Sequence, residues 1–440
     1  MSVLGDLRVV AVHPGFRRLF AVRLVSQTGD GMFQVGLATL FFFAPERMTT
    51  ATGVATAFAV LLLPFTVVGP WAGVLLDRWR RRQVLLVGNA VRVVLTLVLA
   101  ALLAGVGVGP AVYVLTLVTL SVNRFLLSAL SAGLPRVVPR DQLLMANSIT
   151  PTLGAAAAGV GGALGFVGGL VAPEGPAHDA VVLVGAAVVF AVASALALRL
   201  GPDQLGPTHR AAGDELWAKL REVAAGLGAG ARHLVGRRTP AMALGVMTAH
   251  RFVYGVVFIA SILISRNLLA DPRDSAAGLA TFGLVLGVTA IGFAAAVVLT
   301  PLAHERLEPE QWIVVCLSVG AASQLLLAVT VERTAVLVGA ALLGLAAQGT
   351  KIAVDTIVQR DTDDDFRGRA FGLYDVLYNA AFVGAAALAA AVLPDTGWSR
   401  PAFVALAVAY VVTAVALRAG VRRVALERAR GPRPGAHPPA

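Results

Sequence analysis

The sequence predicts an all-α integral membrane protein whose twelve transmembrane helices form two six-helix halves. Three observations carry that expectation. The first is composition: 57% of the 440 residues are apolar and 14% are charged, where a soluble domain carries about 25% charged residues. The second is arrangement. The apolar residues fall into twelve runs, each near the ~20 residues that a helix needs to cross a bilayer. The third is an internal repeat. One shift of the chain lays Gly15-Phe-Arg17-Arg18 on Val235-Gly-Arg237-Arg238, Arg136-Val-Val-Pro-Arg140-Asp141 on Thr356-Ile-Val-Gln-Arg360-Asp361, and Asp30 on His250.

In order along the chain, Met1 to Gly15 is a short polar lead-in with Arg8 and His13. The runs then cover residues 16–43, 51–76, 84–105, 110–133, 145–171, 179–200, 239–265, 276–302, 311–330, 334–353, 367–393 and 399–418. The first is interrupted by Arg23 and Asp30, and nothing after it reads as a signal-peptide cleavage site. The fifth holds Gly154, Gly159, Gly161, Gly162, Gly165, Gly168 and Gly169; small residues at such spacings let helices pack closely. Between the sixth and seventh runs lies a polar linker, 201–238, broken by Gly201-Pro202 and Gly206-Pro207. Within it, 214–234 reads as an amphipathic helix lying on the membrane surface. After Arg418 the chain turns basic and then Pro- and Gly-rich, so 419–440 is expected to be a disordered tail. The organisation expected is therefore 1–200 for one half, the linker, 239–418 for the other half, and the tail.

The basic residues set the orientation. Of the 36 Lys and Arg residues, with those at run ends counted in the adjoining loops, twenty-six fall on the side of the two termini, five (Arg47, Arg266, Arg273, Arg333 and Arg400) on the opposite side, and five (Arg23, Arg92, Arg124, Arg251 and Lys351) inside runs. By the positive-inside rule both termini face the cytoplasm of a cell whose inner, plasma membrane holds the protein. The same distribution accounts for the net charge of +11 without nucleic acid as a partner. The single Cys316 excludes an intramolecular disulfide and a Cys-rich metal site.

Between the second and third runs lies Gly73-Val-Leu-Leu-Asp77-Arg78-Trp-Arg80-Arg81-Arg82. It resembles the signature loop of the major facilitator superfamily, Gly-x-Leu-x-Asp-Arg-x-Gly-Arg-Lys/Arg. Gly73, Leu75, Asp77, Arg78, Arg81 and Arg82 match, and Arg80 replaces the usual Gly. The opening Phe16-Arg-Arg-Leu-Phe-Ala-Val-Arg-Leu-Val-Ser-Gln-Thr-Gly-Asp30 and the Arg367-Gly-Arg369 turn look similar to bacterial exporters of the enterobactin and macrolide-efflux kind. The resemblance implies a monomeric transporter with no cofactor, exporting an amphipathic small molecule such as a drug, siderophore or secondary metabolite. It also implies coupling to protons and rocking of two halves about a substrate site. Uptake or lipid movement on the same fold is the alternative transporter reading. A non-transporting membrane sensor or scaffold is the alternative of another class.

The resemblance assigns gating to Gly73, Asp77, Arg78, Arg81 and Arg82. Asp30 lies about 14 residues into the first run, roughly 20 Å at a helical rise of 1.5 Å, and so near mid-bilayer. A carboxylate there is costly unless paired or protonated, which makes it the first proton-coupling candidate. Arg124 is the second: exporters of this family often carry an Arg-x-x-x-Gly here, with Ser128 in place of the Gly in this chain. Its movement relative to Asp30 is expected to switch the carboxyl. His250, the repeat partner of Asp30, is the third. Arg23, Asn123, Arg251, Gln324, Gln348 and Asn379 are the polar candidates for lining the cavity, although Arg23 is expected to snorkel inward. Arg92 is expected to be structural and tied to the signature loop. The acidic stretch Asp361 to Asp365 reads as capping and salt bridging between halves, not as a metal loop. The sequence contains no phosphate-binding loop, dinucleotide fingerprint or zinc-protease helix, so nothing in it supports an enzyme.

Overall fold

The computed structural model describes residues 8–38, 52–53, 79–107, 109–139, 142–171, 178–206, 238–362 and 364–429, with short pieces of the linker at 221–222, 225–226, 228–229 and 231–232. The described chain is helical. Five helices precede the linker: α1 (Pro14–Ala38), α2 (Arg81–Gly105), α3 (Pro110–Gly133), α4 (Leu143–Val171) and α5 (His178–Ala197). Six follow it: α6 (Arg238–Asn267), α7 (Ser275–His304), α8 (Pro309–Val329), α9 (Arg333–Asp361), α10 (Asp364–Val392) and α11 (Arg400–Ala429). Ten of them, α2 to α11, are long and apolar enough to cross a membrane, and they coincide with the third to twelfth expected runs. Helix α1 forms where the first run is expected, but its described residues are not apolar enough to join that set. The second run, 51–76, lies outside the described residues apart from 52–53, which are helical, as does most of the linker helix expected at 214–234.

Local chemistry sets the helix ends. Pro110 and Pro309 occupy the first turns of α3 and α8, where the missing N–H breaks no helical bond. Glu308 and Gln311 form a reciprocal capping box at α8, and the Asp274 carboxylate accepts from Ala277 N–H at 2.8 Å at α7. Between α10 and α11 the chain turns through Gly397, whose φ of +75° suits glycine. That turn is held when Trp398 Nε1 donates to the Leu327 carbonyl at 2.8 Å and Arg400 Nε to the Ala328 carbonyl at 3.1 Å. Helix α11 runs to Ala429, so the tail expected to be disordered from 419 begins as helix. Apolar content falls at Arg418, but backbone hydrogen bonding needs no apolar side chains and continues into the polar layer.

The described helices divide into two compact units, α1–α5 and α6–α11. In the first, α1 packs on α4 and α5, and α2 on α5 and α3. In the second, α6 packs on α10, α8 on α11 and α9, and α7 on α9. The pairs α1·α4, α2·α5 and α2·α3 of one unit thus reappear as α6·α10, α8·α11 and α8·α9 of the other, in the order that the sequence repeat relates them. Outward faces are apolar: Val404, Val408, Val411, Val412 and Val415 form an exposed stripe on α11. Such a stripe suits hydrocarbon and not water.

The described part of the basic loop grips helix ends within the first unit. Arg80 pairs with Asp203 at 2.8 Å. Arg81 donates to the carbonyls of Ala132 and Leu205, each at 3.0 Å, and Arg82 to those of Ala197 and Leu198. These are C-terminal carbonyls of α3 and α5 and of the chain just after α5, where a cation meets the negative end of the helix dipole. In the second unit Arg360 ties the end of α9 to the start of α8 through Asp361 at 2.7 Å and Glu310 at 2.6 Å. Asp361 thus takes part in a salt bridge within the second unit.

Candidate functional site

Among the described residues, a polar cluster in each unit holds sequence candidates. The first centres on Asp30, only 5% exposed in α1. Its Oδ1 is ion-paired with Arg92 of α2, 1% exposed. Arg92 also donates to Ser26 Oγ at 3.2 Å, and Ser26 donates to Asn89 Oδ1 at 3.1 Å. The side-chain amide of Asn123 in α3 is within hydrogen-bonding reach of the same carboxyl. The guanidinium carbon of Arg92 sits 3.6 Å above the Phe190 ring of α5, a cation–π contact. Phe190 occupies space that Gly29 leaves open, because a Cβ at position 29 would collide with that ring.

The arrangement makes chemical sense as a reversible ion pair. A buried pair is costly to desolvate, and its geometry must return that cost through Coulomb attraction and hydrogen bonds. Asp30 Oδ2 has no hydrogen-bond partner among the described residues, so a proton can add there without displacing a donor. Protonation would cancel the charge that holds Arg92 and free its guanidinium.

The second cluster centres on Arg251 of α6. Its guanidinium carbon lies 4.0 Å from the ring centres of both Tyr378 and Phe382 on α10, and 5.2 Å from that of Tyr254. The Tyr374 ring lies tilted beyond Tyr378, their centres 5.9 Å apart, with its hydroxyl beside Asp355 of α9. Asp355 is itself paired with Lys351 at 2.6 Å. His250 points elsewhere, into the unit: it is buried, its ring lies 5.6 Å from Tyr410 on α11, and its Nδ1 has no hydrogen-bond partner among the described residues. That division follows from the ~100° turn between successive helical residues.

The sequence candidates are thus placed unevenly. Asp30 and Asn123 come together, but the partner of Asp30 is Arg92 and not Arg124. Arg124 is half-buried on α3, where its backbone carbonyl accepts from Ser128 Oγ at 3.1 Å. Arg92, expected to be structural, is thus one half of a buried ion pair. Arg23 does not snorkel; it is 7% exposed and donates to Gln27 at 3.0 Å. Gln324 is fully buried against Ser323. Gln348 is half-buried, and half-buried Asn379 donates to the Asp375 carbonyl at 2.8 Å. Gly73, Asp77 and Arg78 lie outside the described residues. Sequence reasoning missed Ser26, Asn89 and Phe190 in the first cluster, and Tyr378 and Phe382 in the second. One signal was available for Phe190: the shift that lays Asp30 on His250 also lays Phe190 on Tyr410, and Tyr410 packs on His250 as Phe190 packs on Arg92, the partner of Asp30.

Residues 273–440 match the family model described as Major Facilitator Superfamily. Over 401 residues the chain is 36% identical to Uncharacterized MFS-type transporter Rv0037c of Mycobacterium tuberculosis, covering 90% of this chain and 89% of that protein. It is equally similar to Uncharacterized MFS-type transporter Mb0038c of Mycobacterium bovis. Among solved structures, the fold is similar to a peptide transporter POT mutant in complex with sulfate, with a TM-score of 0.70 at 12% identity, covering 95% of this chain and 98% of that one. It is also similar to the nucleoside transporter NupG, with a TM-score of 0.65 at 13% identity, covering 93% and 99%. An all-helical architecture with membrane-length apolar helices and a relative of this identity along nine-tenths of the chain lead to one conclusion: the protein belongs to the major facilitator superfamily and is a multi-pass membrane transporter of small molecules, not an enzyme.

Proposed function

We propose that the protein is a proton-coupled secondary transporter that exports an amphipathic small molecule by alternating access, seated in the plasma membrane with both termini in the cytoplasm. The observation that carries the coupling is the buried Asp30–Arg92 pair. A scaffold has no use for an ion pair in hydrocarbon, where intramembrane charges mark ion and proton pathways. A carboxyl whose second oxygen is unpartnered and whose first holds an arginine offers two states, ion-paired when ionised and released when protonated. Arg124 and His250 are second-rank participants, and Asp77 with the arginines that follow it acts in gating.

The test is efflux from a pump-deficient host against a panel of amphipathic compounds. Wild type is expected to lower accumulation of at least one compound, and collapse of the proton gradient is expected to abolish the effect. Asp30→Asn mimics the protonated carboxyl and is expected to block gradient-driven efflux while substrate binding persists. Efflux by Asp30→Asn at the wild-type rate would remove Asp30 from coupling. Accumulation that rises in cells carrying the wild type would reverse the direction proposed.

A further inference from the structure

The second unit contains a cation that its surroundings do not neutralise. Arg251 makes no hydrogen bond or ion pair with any other described residue, and the side chains that act on it electrostatically are tyrosines. The charged groups farther along the cluster act on Tyr374: Asp355, paired with Lys351 at 2.6 Å, and Asp375; neither carboxylate is among the groups that act on Arg251. The rings of Tyr378 and Phe382 each lie 4.0 Å from the guanidinium carbon. Its Nε is enclosed, while the residue as a whole is half-buried and its terminal nitrogens stay accessible. Those terminal nitrogens are the atoms with which a guanidinium forms paired hydrogen bonds to carboxylate, sulfonate or phosphate oxygens.

An aromatic cluster with an empty centre selects organic cations. Here the centre is already filled by a fixed positive charge, which repels a second cation and attracts an anion. Tyr254 extends the aromatic surface toward an apolar recess that it lines with Phe258, Val285, Thr289 and Phe403. We infer that this cluster is a substrate subsite and that the transported molecule is an amphipathic organic anion, its acidic group on Arg251 and its apolar body beside the half-buried Tyr378. The inference rests on the transporter reading above and narrows its substrate class.

The experiment uses the purified full chain in lipid nanodiscs and three probes with one ring system: 2-naphthaleneacetate, its neutral amide and 2-naphthylethylammonium. Binding is followed by the change in thermal unfolding midpoint and by competition. Wild type is expected to bind the carboxylate about tenfold more tightly than the amide, equivalent to about 1.4 kcal/mol, and the ammonium more weakly still. Arg251→Gln is expected to erase the carboxylate preference, and Arg251→Lys to retain part of it with a wild-type elution profile. Equal or tighter binding of the ammonium by wild type overturns the inference, as does an undiminished carboxylate preference in Arg251→Gln. Failure of the underlying reading looks different. Anion-selective binding with no gradient-driven flux would refute transport and leave the subsite standing. Efflux of cationic or neutral compounds that Arg251→Gln does not alter would refute the subsite and leave transport standing.

Discussion

At the scale of single residues, the energetics of Asp30 and Arg92 are those of a pair and not of two separate side chains. Removing either partner leaves the other charged and enclosed, which costs about 3–5 kcal/mol in buried pairs, whereas removing both charges together costs far less. Arg92→Gln is therefore expected to lower resistance to unfolding strongly, and Arg92→Gln combined with Asp30→Asn to recover most of the loss. Denaturant titration of the four purified proteins measures the coupling; additive losses would show that the two residues act independently. The sequence made Asp30 legible as a costly intramembrane acid, because depth along a helix can be counted in residues. It did not identify the partner. Arg92 and Arg124 both lie on helices of the same half, and only the rotation of α2 against α1 decides which guanidinium reaches the carboxyl. Arg251 was legible as a charge in an apolar run for the same reason, while its aromatic neighbours, far along the chain on α10, were not.

At the scale of elements, the glycines of α4 are not equivalent. A Cβ at Gly161 would fall on the Thr28 carbonyl oxygen of α1, and one at Gly31 on the Ala158 carbonyl oxygen of α4, whereas a Cβ at Gly159 meets nothing within 4 Å. The α1·α4 pair thus packs backbone against backbone, as small residues permit. Gly161→Ala must push the helices apart, a change costing at least about 1–3 kcal/mol, and is expected to reduce the monodisperse fraction on size-exclusion chromatography. Gly159→Ala is expected to match wild type. Equal behaviour of the two variants would show that α1 and α4 do not meet at this face. The second unit repeats the device: Gly292 faces the Ala341 carbonyl and Gly344 the Thr289 carbonyl. Sequence reading found the glycine-rich run because composition marks it, but it could not sort contact glycines from spectators. Element ends were less legible than element cores, since α9 and α11 continue past their apolar stretches to Asp361 and Ala429.

At the scale of the whole molecule, the arginine distribution predicts topology without reference to any contact. A reporter fused after Arg47 is expected to read external and one fused after Arg210 internal; the opposite pair of readings would invert the orientation proposed. The two units share one set of helix pairings but have diverged in chemistry, with an acid–base pair in the first and an aromatic-flanked cation in the second. Helix α1 adds a consequence for biogenesis. It is not apolar enough to count among the membrane-length helices, and the charge that compensates Asp30 lies 62 residues downstream. While the ribosome is still making the second run, the nascent α1 carries an unanswered carboxylate, and an acidic residue at a helix centre opposes insertion by about 2.5–3.5 kcal/mol. Stable integration of the first helix thus waits for synthesis of the third, so nascent chains arrested just before Arg92 should be extracted by alkali more readily than chains arrested after α2 has emerged.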